Sequence, residues 1–292
     1  MDGSGGTGGT WGSVNYLAPG STRNRLYVAP GEQRATARYE PHRVRVRDGR
    51  PHRGDLTLDD AGFTLTDHQT SVPASALGNP AVLDGAYTGE VRALVRALTG
   101  ADMVVSLGWL TRRTAASRAA RGGALPPAPD VHVDLHTTDI AHRYTRVHAQ
   151  APLPAPGTYR RALWTSLWRA FSPPPQDWPL AVCDYRSTCS AAGDAEDGTP
   201  NLLFRVPALP PPGAPEPPDA DAESAASLFH YNPAHRWWYF PAMHAGEALL
   251  IKLHDTDRSV AWRAPHTSFR DESAQDAHPR ESVELRTVAY FR

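Results

Sequence analysis

The chain has 292 residues, is 40% hydrophobic, and carries 30 basic against 31 acidic side chains for a formal net charge of −1. That apolar share can close a core, which excludes wholesale disorder. Near-zero charge argues against general nucleic-acid binding, which needs many phosphate-neutralising cations on one face.

Met1 to Ser13 is Gly-rich and is expected to be disordered, because such sequence cannot repay its ordering entropy. It also lacks the basic and apolar regions of a signal peptide. Strand-like text follows at 25–29, at 43–47, where Arg and Val alternate up to Asp48-Gly49, and at 62–66. Residues 88–99 read as a helix, with Val91, Leu94, Val95 and Leu98 on one face and Gly100 as its C-cap. Strands are expected at 103–107 and 131–136. Residues 159–171 read as an amphipathic helix with Leu163, Trp164, Leu167 and Phe171 on one side, ended by three prolines. Further strands are expected at 178–185, 202–206, 236–240, 248–253 and 282–291. The mixture is mostly β with flanking helices, which points to a sandwich or jelly roll.

Residues 207–226 hold seven prolines and four acidic residues and read as a linker or a long surface excursion. No apolar run approaches the roughly 20 residues that span a bilayer. Cys183 and Cys189 are too few for a disulfide framework and are expected as buried free thiols. These features together suggest a cytoplasmic protein.

Thirteen histidines raise the question of which do chemistry. In the stretch Asp130 to His136, a strand would put His132, Asp134 and His136 on one face, where an imidazole and a carboxylate can share a metal ion. Two histidines and one carboxylate with open positions are the ligand set of non-haem Fe(II) oxygenases. His266 stands far downstream, and Arg280-Glu281-Ser282 follows 14 residues later. A guanidinium fork beside a hydroxyl suits a terminal carboxylate, as a 2-oxoglutarate site requires.

These segments, together with GFTLTDHQTSV (62–72), LTGADMVVSLGWLTRR (98–113), LWRAFSPPPQDWPLAVCDYRS (167–187), HRWWYFPAMHAGEALLIKLHDT (235–256) and RESVELR (280–286), resemble a known family. It is the iron(II)/2-oxoglutarate-dependent oxygenases grouped with the hydroxylase CmcJ, the endoperoxide-forming NvfI and a fungal gibberellin desaturase. The resemblance runs from about residue 60 onward. It implies a double-stranded β-helix (jelly-roll, cupin-like) core, with His132, Asp134 and His266 as ligands of Fe(II). Arg280 and Ser282 would bind 2-oxoglutarate, with O2 as the other reactant. The implied activity is oxidation of an unactivated C–H bond of a specialised metabolite, by hydroxylation, desaturation or cyclisation. Because the implied ligands flank residues 207–226, that stretch becomes a surface excursion within one domain, 14–292. Two alternatives stand beside this: a cupin-like metalloenzyme without 2-oxoglutarate, and a non-catalytic jelly-roll binding protein.

Other residues carry plainer alternatives. His136 is a rival ligand or a neighbour of the metal shell. Arg169 is a candidate cosubstrate contact, or a cation settled by a helix dipole. Arg112 and Arg113 are weaker candidates of the same kind. Trp237 and Tyr239 would line a pocket or pack in the core. Lys252, the sole lysine, would sit near substrate or in a buried ion pair. The expected partner is a small-molecule substrate, with no nucleic acid and no membrane, and near-neutral charge does not oppose a homo-oligomer.

Overall fold

The computed structural model describes residues 8–115, 124–189, 198–211, 213–271, 273–274 and 276–292. Its strands are β1 (Gly9–Leu17), β2 (Asn24–Ala29), β3 (Glu32–Ala35), β4 (Tyr39–Asp48), β5 (Phe63–Asp67), β6 (Met103–Arg113), β7 (His132–Val133) and β8 (Arg161–Ala170). They continue with β9 (Leu180–Cys183), β10 (Thr199–Arg205), β11 (Ser224–Leu228), β12 (Trp237–Tyr239), β13 (Glu247–Asp255), β14 (His266–Ser268) and β15 (Glu281–Phe291). Ten form one sheet in the order β1-β4-β12-β9-β14-β7-β11-β10-β2-β3, and five form the other, β5-β13-β8-β15-β6. Side chains of both sheets share buried clusters, such as Phe63, Trp168 and Ile251 with Val182 and Phe240. This is a jelly-roll core. Helix α1 (Thr88–Thr99) covers the outer face of the five-stranded sheet, burying Val91 and Val95 against Leu163, Leu167 and Leu285. It ends at Gly100, whose φ of 70° suits a residue without Cβ.

Four expectations are corrected. The helix expected over 159–171 is strand β8, in the middle of the five-stranded sheet and buried along nearly its whole length. Its large residues recur every four positions, and a spacing of four lies on one face of a helix and equally of a strand. Leu163 and Leu167 face α1, whereas Trp164 and Trp168 enter clusters on the inner side. Second, the N-terminal disorder does not extend to Ser13, because Gly9–Leu17 pairs with β4 throughout. Gly12 is there for contact: a Cβ on it would stand 2.4 Å from Phe269. The rest of that expectation, residues 1–7, lies outside the described residues. Third, β7 stops after Val133 and Asp134 lies in a bend, so residues 132–136 do not form one strand. Fourth, Ser224–Ala226, assigned to the Pro-rich excursion, belong to β11 and pair with β10. A second helix, α2 (Thr138–His148), has no counterpart among the expected elements; Thr137 caps it by accepting from the Ile140 amide.

Buried His254 on β13 shares a hydrogen bond of 2.9 Å between its Nε2 and Thr138 Oγ1. Burial, aided by Arg258 and Arg263, pushes its pKa down to about 3. An unfolded histidine titrates near 6.5. The stabilisation is therefore complete above that value and is lost as pH falls from there toward about 3. Between pH 7.5 and 5, denaturant unfolding should show a loss of about 2 kcal/mol that His254→Gln lacks.

Candidate metal centre

Strands β7 and β14 are neighbours, and their antiparallel register sets His132 directly opposite His266. Residues 134 positions apart in sequence thus present their rings side by side, with centroids 4.6 Å apart. Asp134, in the bend after β7, completes the group: its carboxylate oxygens lie 3.9 Å from His132 Nε2 and 3.7 Å from His266 Nε2. One ligand atom from each of the three falls within 4.8 Å of the others. His132 Nδ1 donates to the Asp130 carbonyl at 2.7 Å and His266 Nδ1 to the Ala264 carbonyl at 3.1 Å. Because a carbonyl only accepts, both Nδ1 atoms carry the proton and both Nε2 atoms keep a lone pair toward the centre.

Electrostatics prepare the same state. Burial, then repulsion from His266, lowers the His132 pKa and favours its neutral form. Burial alone would raise Asp134, but Arg286, His266 and His132 outweigh it and hold the carboxyl well below its usual range. Arg286 donates to Asp134 Oδ1 at 2.8 Å and is itself held by Tyr144 and Glu284 at 3.1 Å each. Glu284 also faces Arg112 at 3.5 Å. Sequence reasoning assigned no role to Arg286 or Glu284. The signal was present, since Ser282, Glu284 and Arg286 alternate along β15 and so share the face that looks inward.

Arg280 immediately precedes β15 and is fully buried. Its Nη1 donates to the Trp178 carbonyl at 2.8 Å and to Ser268 Oγ at 2.7 Å, and its Nε to Ser282 Oγ at 3.2 Å. Ser268 is two residues beyond His266 on β14, on the same strand face, which ties the guanidinium to the histidine pair. The guanidinium also lies 5.4 Å from the Trp168 ring. Its Nη2 is buried with no hydrogen-bond partner among the described residues, and no carboxylate there is paired with it. Burial, then repulsion from Arg112, pushes its pKa down to about 9. A dry cation with a spare donor fits a ligand that brings a carboxylate.

The other candidates are placed elsewhere. His136 bonds Ser227 Oγ at 2.8 Å and is not one of the three grouped ligands. Trp237 and Tyr239 pack with Val131 and Val133, on the face of β7 opposite His132. Both are buried in the core. Lys252 is buried between Asp59 and Asp255, each at 3.0 Å. That is a buried ion-pair network. Cys183 is a buried free thiol, while Cys189 is only half-buried. Arg169 points to the outer face of β8, opposite Trp168, and donates to the His68 and Ala245 carbonyls and to Tyr87 Oη. Arg169→Met should destabilise the fold by about 3 kcal/mol, because it strands buried acceptors. Isothermal titration should find 2-oxoglutarate affinity unchanged.

Residues 14–290 match a family model described as an oxidoreductase/YMDC permease-like domain. The chain belongs to this oxidoreductase family. Relatives include the Fe(II)/2-oxoglutarate-dependent dioxygenase nvfI of Aspergillus novofumigatus, 28% identical over 281 residues and 92% of each chain. The hydroxylase/desaturase CTB9 of Cercospora beticola is 30% identical over 269 residues, covering 87% of this chain and 78% of that one. A solved structure of the iron and alpha-ketoglutarate-dependent endoperoxidase NvfI superposes with a TM-score of 0.75 at 26% identity, over 97% of this chain and 98% of that one. The protein is thus an Fe(II)/2-oxoglutarate-dependent oxygenase, as the resemblance read in its sequence implied. No helix among the described residues is long and apolar enough to cross a membrane.

Proposed function

We propose that residues 14–292 form a single oxygenase domain in which His132, Asp134 and His266 hold Fe(II). Arg280 and Ser282 hold the far carboxylate of 2-oxoglutarate, and the substrate is a small specialised metabolite oxidised at an unactivated C–H bond. The observation that carries this reading is the spare, buried Nη2 of Arg280, tied through Ser268 to the strand that bears His266. Iron and 2-oxoglutarate, when bound, supply the oxidising power drawn from O2, with succinate and CO2 as co-products.

The chain's own part is positioning. The carbonyls of Asp130 and Ala264 fix both imidazole tautomers. Arg286 occupies one oxygen of Asp134, which leaves the other for the metal. Arg280 sets the direction from which 2-oxoglutarate approaches, and the Trp168 ring beside it keeps water out. A cavity of about 570 Å³, reached by His132, Asp134 and Arg286, offers room for substrate. Anaerobic addition of Fe(II) and 2-oxoglutarate should produce the weak visible charge-transfer band of the chelate. A missing band at saturating concentrations of both would overturn the reading.

A further inference from the structure

Asn201 lines the cavity beside the proposed metal centre. Its Oδ1 is shut off from solvent and has no hydrogen-bond partner among the described residues, an arrangement that costs stability while nothing else satisfies the amide. The sheet places this group relative to the metal ligands. His132 pairs with Leu228, and Ala226, two residues back on β11, pairs with Asn201 on β10. Asn201 therefore sits two strand spacings, or roughly 10 Å, across the sheet and two residues, roughly 7 Å, along it from His132. The surface between them is apolar: Leu228 and Ala226 lie on the floor, with Leu107 and Leu110 of β6 lining the same cavity.

Charge does not favour an ion. Arg112, Arg205 and Arg286 line the cavity against Asp130, Asp134 and Glu223. Arg205 is paired with Glu223 at 2.7 Å and Arg286 with Asp134 at 2.8 Å, while Arg112 faces Glu284 at 3.5 Å. Each of these three arginines already faces a carboxylate, so none is an unpaired cation in the cavity.

Building on the function proposed above, we infer that the substrate is an uncharged, mostly apolar molecule whose hydroxyl or amide group is read by Asn201, with the oxidised carbon held at the opposite end. The carboxamide offers a donor and an acceptor together, so turning it by half a circle serves either polarity of partner. Asn201 is then a specificity-determining residue that sets which carbon faces the metal.

The test uses the full chain loaded anaerobically with Mn(II) and 2-oxoglutarate, and compares 4-phenylphenol, biphenyl and biphenyl-4-carboxylate by tryptophan fluorescence. The phenol should bind about tenfold more tightly than biphenyl, as one neutral hydrogen bond allows. Asn201→Leu should erase that preference while leaving biphenyl affinity in place, and Asn201→Ala should repeat the loss should leucine disturb β10. The inference is overturned if none of the probes binds, if the preference survives both substitutions, or if the carboxylate binds best. The Fe(II)/2-oxoglutarate band, measured in parallel, separates the two readings: a band without discrimination removes only the substrate assignment, and discrimination without a band removes the cosubstrate.

Discussion

Arg280→Met should raise the 2-oxoglutarate concentration needed for half-maximal turnover by at least about 100-fold, the loss expected when one charge-assisted pair is removed from a buried site. Metal affinity should barely change, because Arg280 touches neither histidine ring nor Asp134; its partners are Trp178, Ser268 and Ser282. The fold should tolerate the change. Methionine fills most of the same space beside Trp168 and removes an unpaired buried cation whose presence already costs stability. Unfolding experiments should find that 2-oxoglutarate and metal together stabilise the native chain more than they stabilise Arg280→Met. Arg280→Lys should recover only part of the affinity, since an ammonium cannot donate to Ser268, Ser282 and a carboxylate in one plane. Equal 2-oxoglutarate affinity in native and Met variants would show that the cosubstrate lies elsewhere.

Why is Arg280 legible in the sequence when its neighbours are not? It stands 14 residues behind His266 with Ser282 two further on, and that spacing is chemistry written in one short segment. Arg286 is different. Its role depends on Asp134, which lies 152 positions away and meets it only because the two sheets face one another. Nothing local distinguishes it among the many arginines of this chain. Arg169 misleads for the opposite reason. Its misplacement follows from taking β8 for a helix, where a residue after Trp168 sits at a terminus; in a strand, adjacent residues point to opposite faces. Trp168 therefore meets Arg280 while Arg169 meets Tyr87. Helix α2 escapes because polar Thr145 and His148 follow Ala141 and Tyr144 on its packed side while Val147 is exposed, and only the Thr137 cap marks its start. The N-terminal strand escapes because glycine reads as a sign of disorder, whereas Gly12 admits the ring of Phe269.

His132→Ala and Asp134→Ala should each abolish turnover, by more than about 1,000-fold, and remove the Fe(II)/2-oxoglutarate band, because two remaining ligands do not hold a divalent ion against water. His136→Ala is the control. It sits two residues past Asp134, but its Nδ1 is held by Ser227 and it stands outside the His132–Asp134–His266 group, so iron affinity and the band should persist. Asp134→Ala also strips Arg286 of a partner, leaving it with Glu284 and Tyr144, and a stability loss could be mistaken for a metal effect. Asp134→Asn separates the two. The amide oxygen can still accept from Arg286, so unfolding should change less than in the alanine variant, while the lost negative charge should still weaken the metal. Arg286→Met supplies the converse: both histidines and the carboxylate remain, but nothing holds Asp134 Oδ1. Second-sphere losses of this kind cost about 10- to 100-fold in affinity or activity, and with Co(II) as the probe the visible absorption should change shape as the carboxylate is freed to bind through both oxygens. An unchanged Co(II) spectrum in Arg286→Met would mean that Asp134 is oriented by its place in the bend alone, and that Arg286 acts only as a counter-charge.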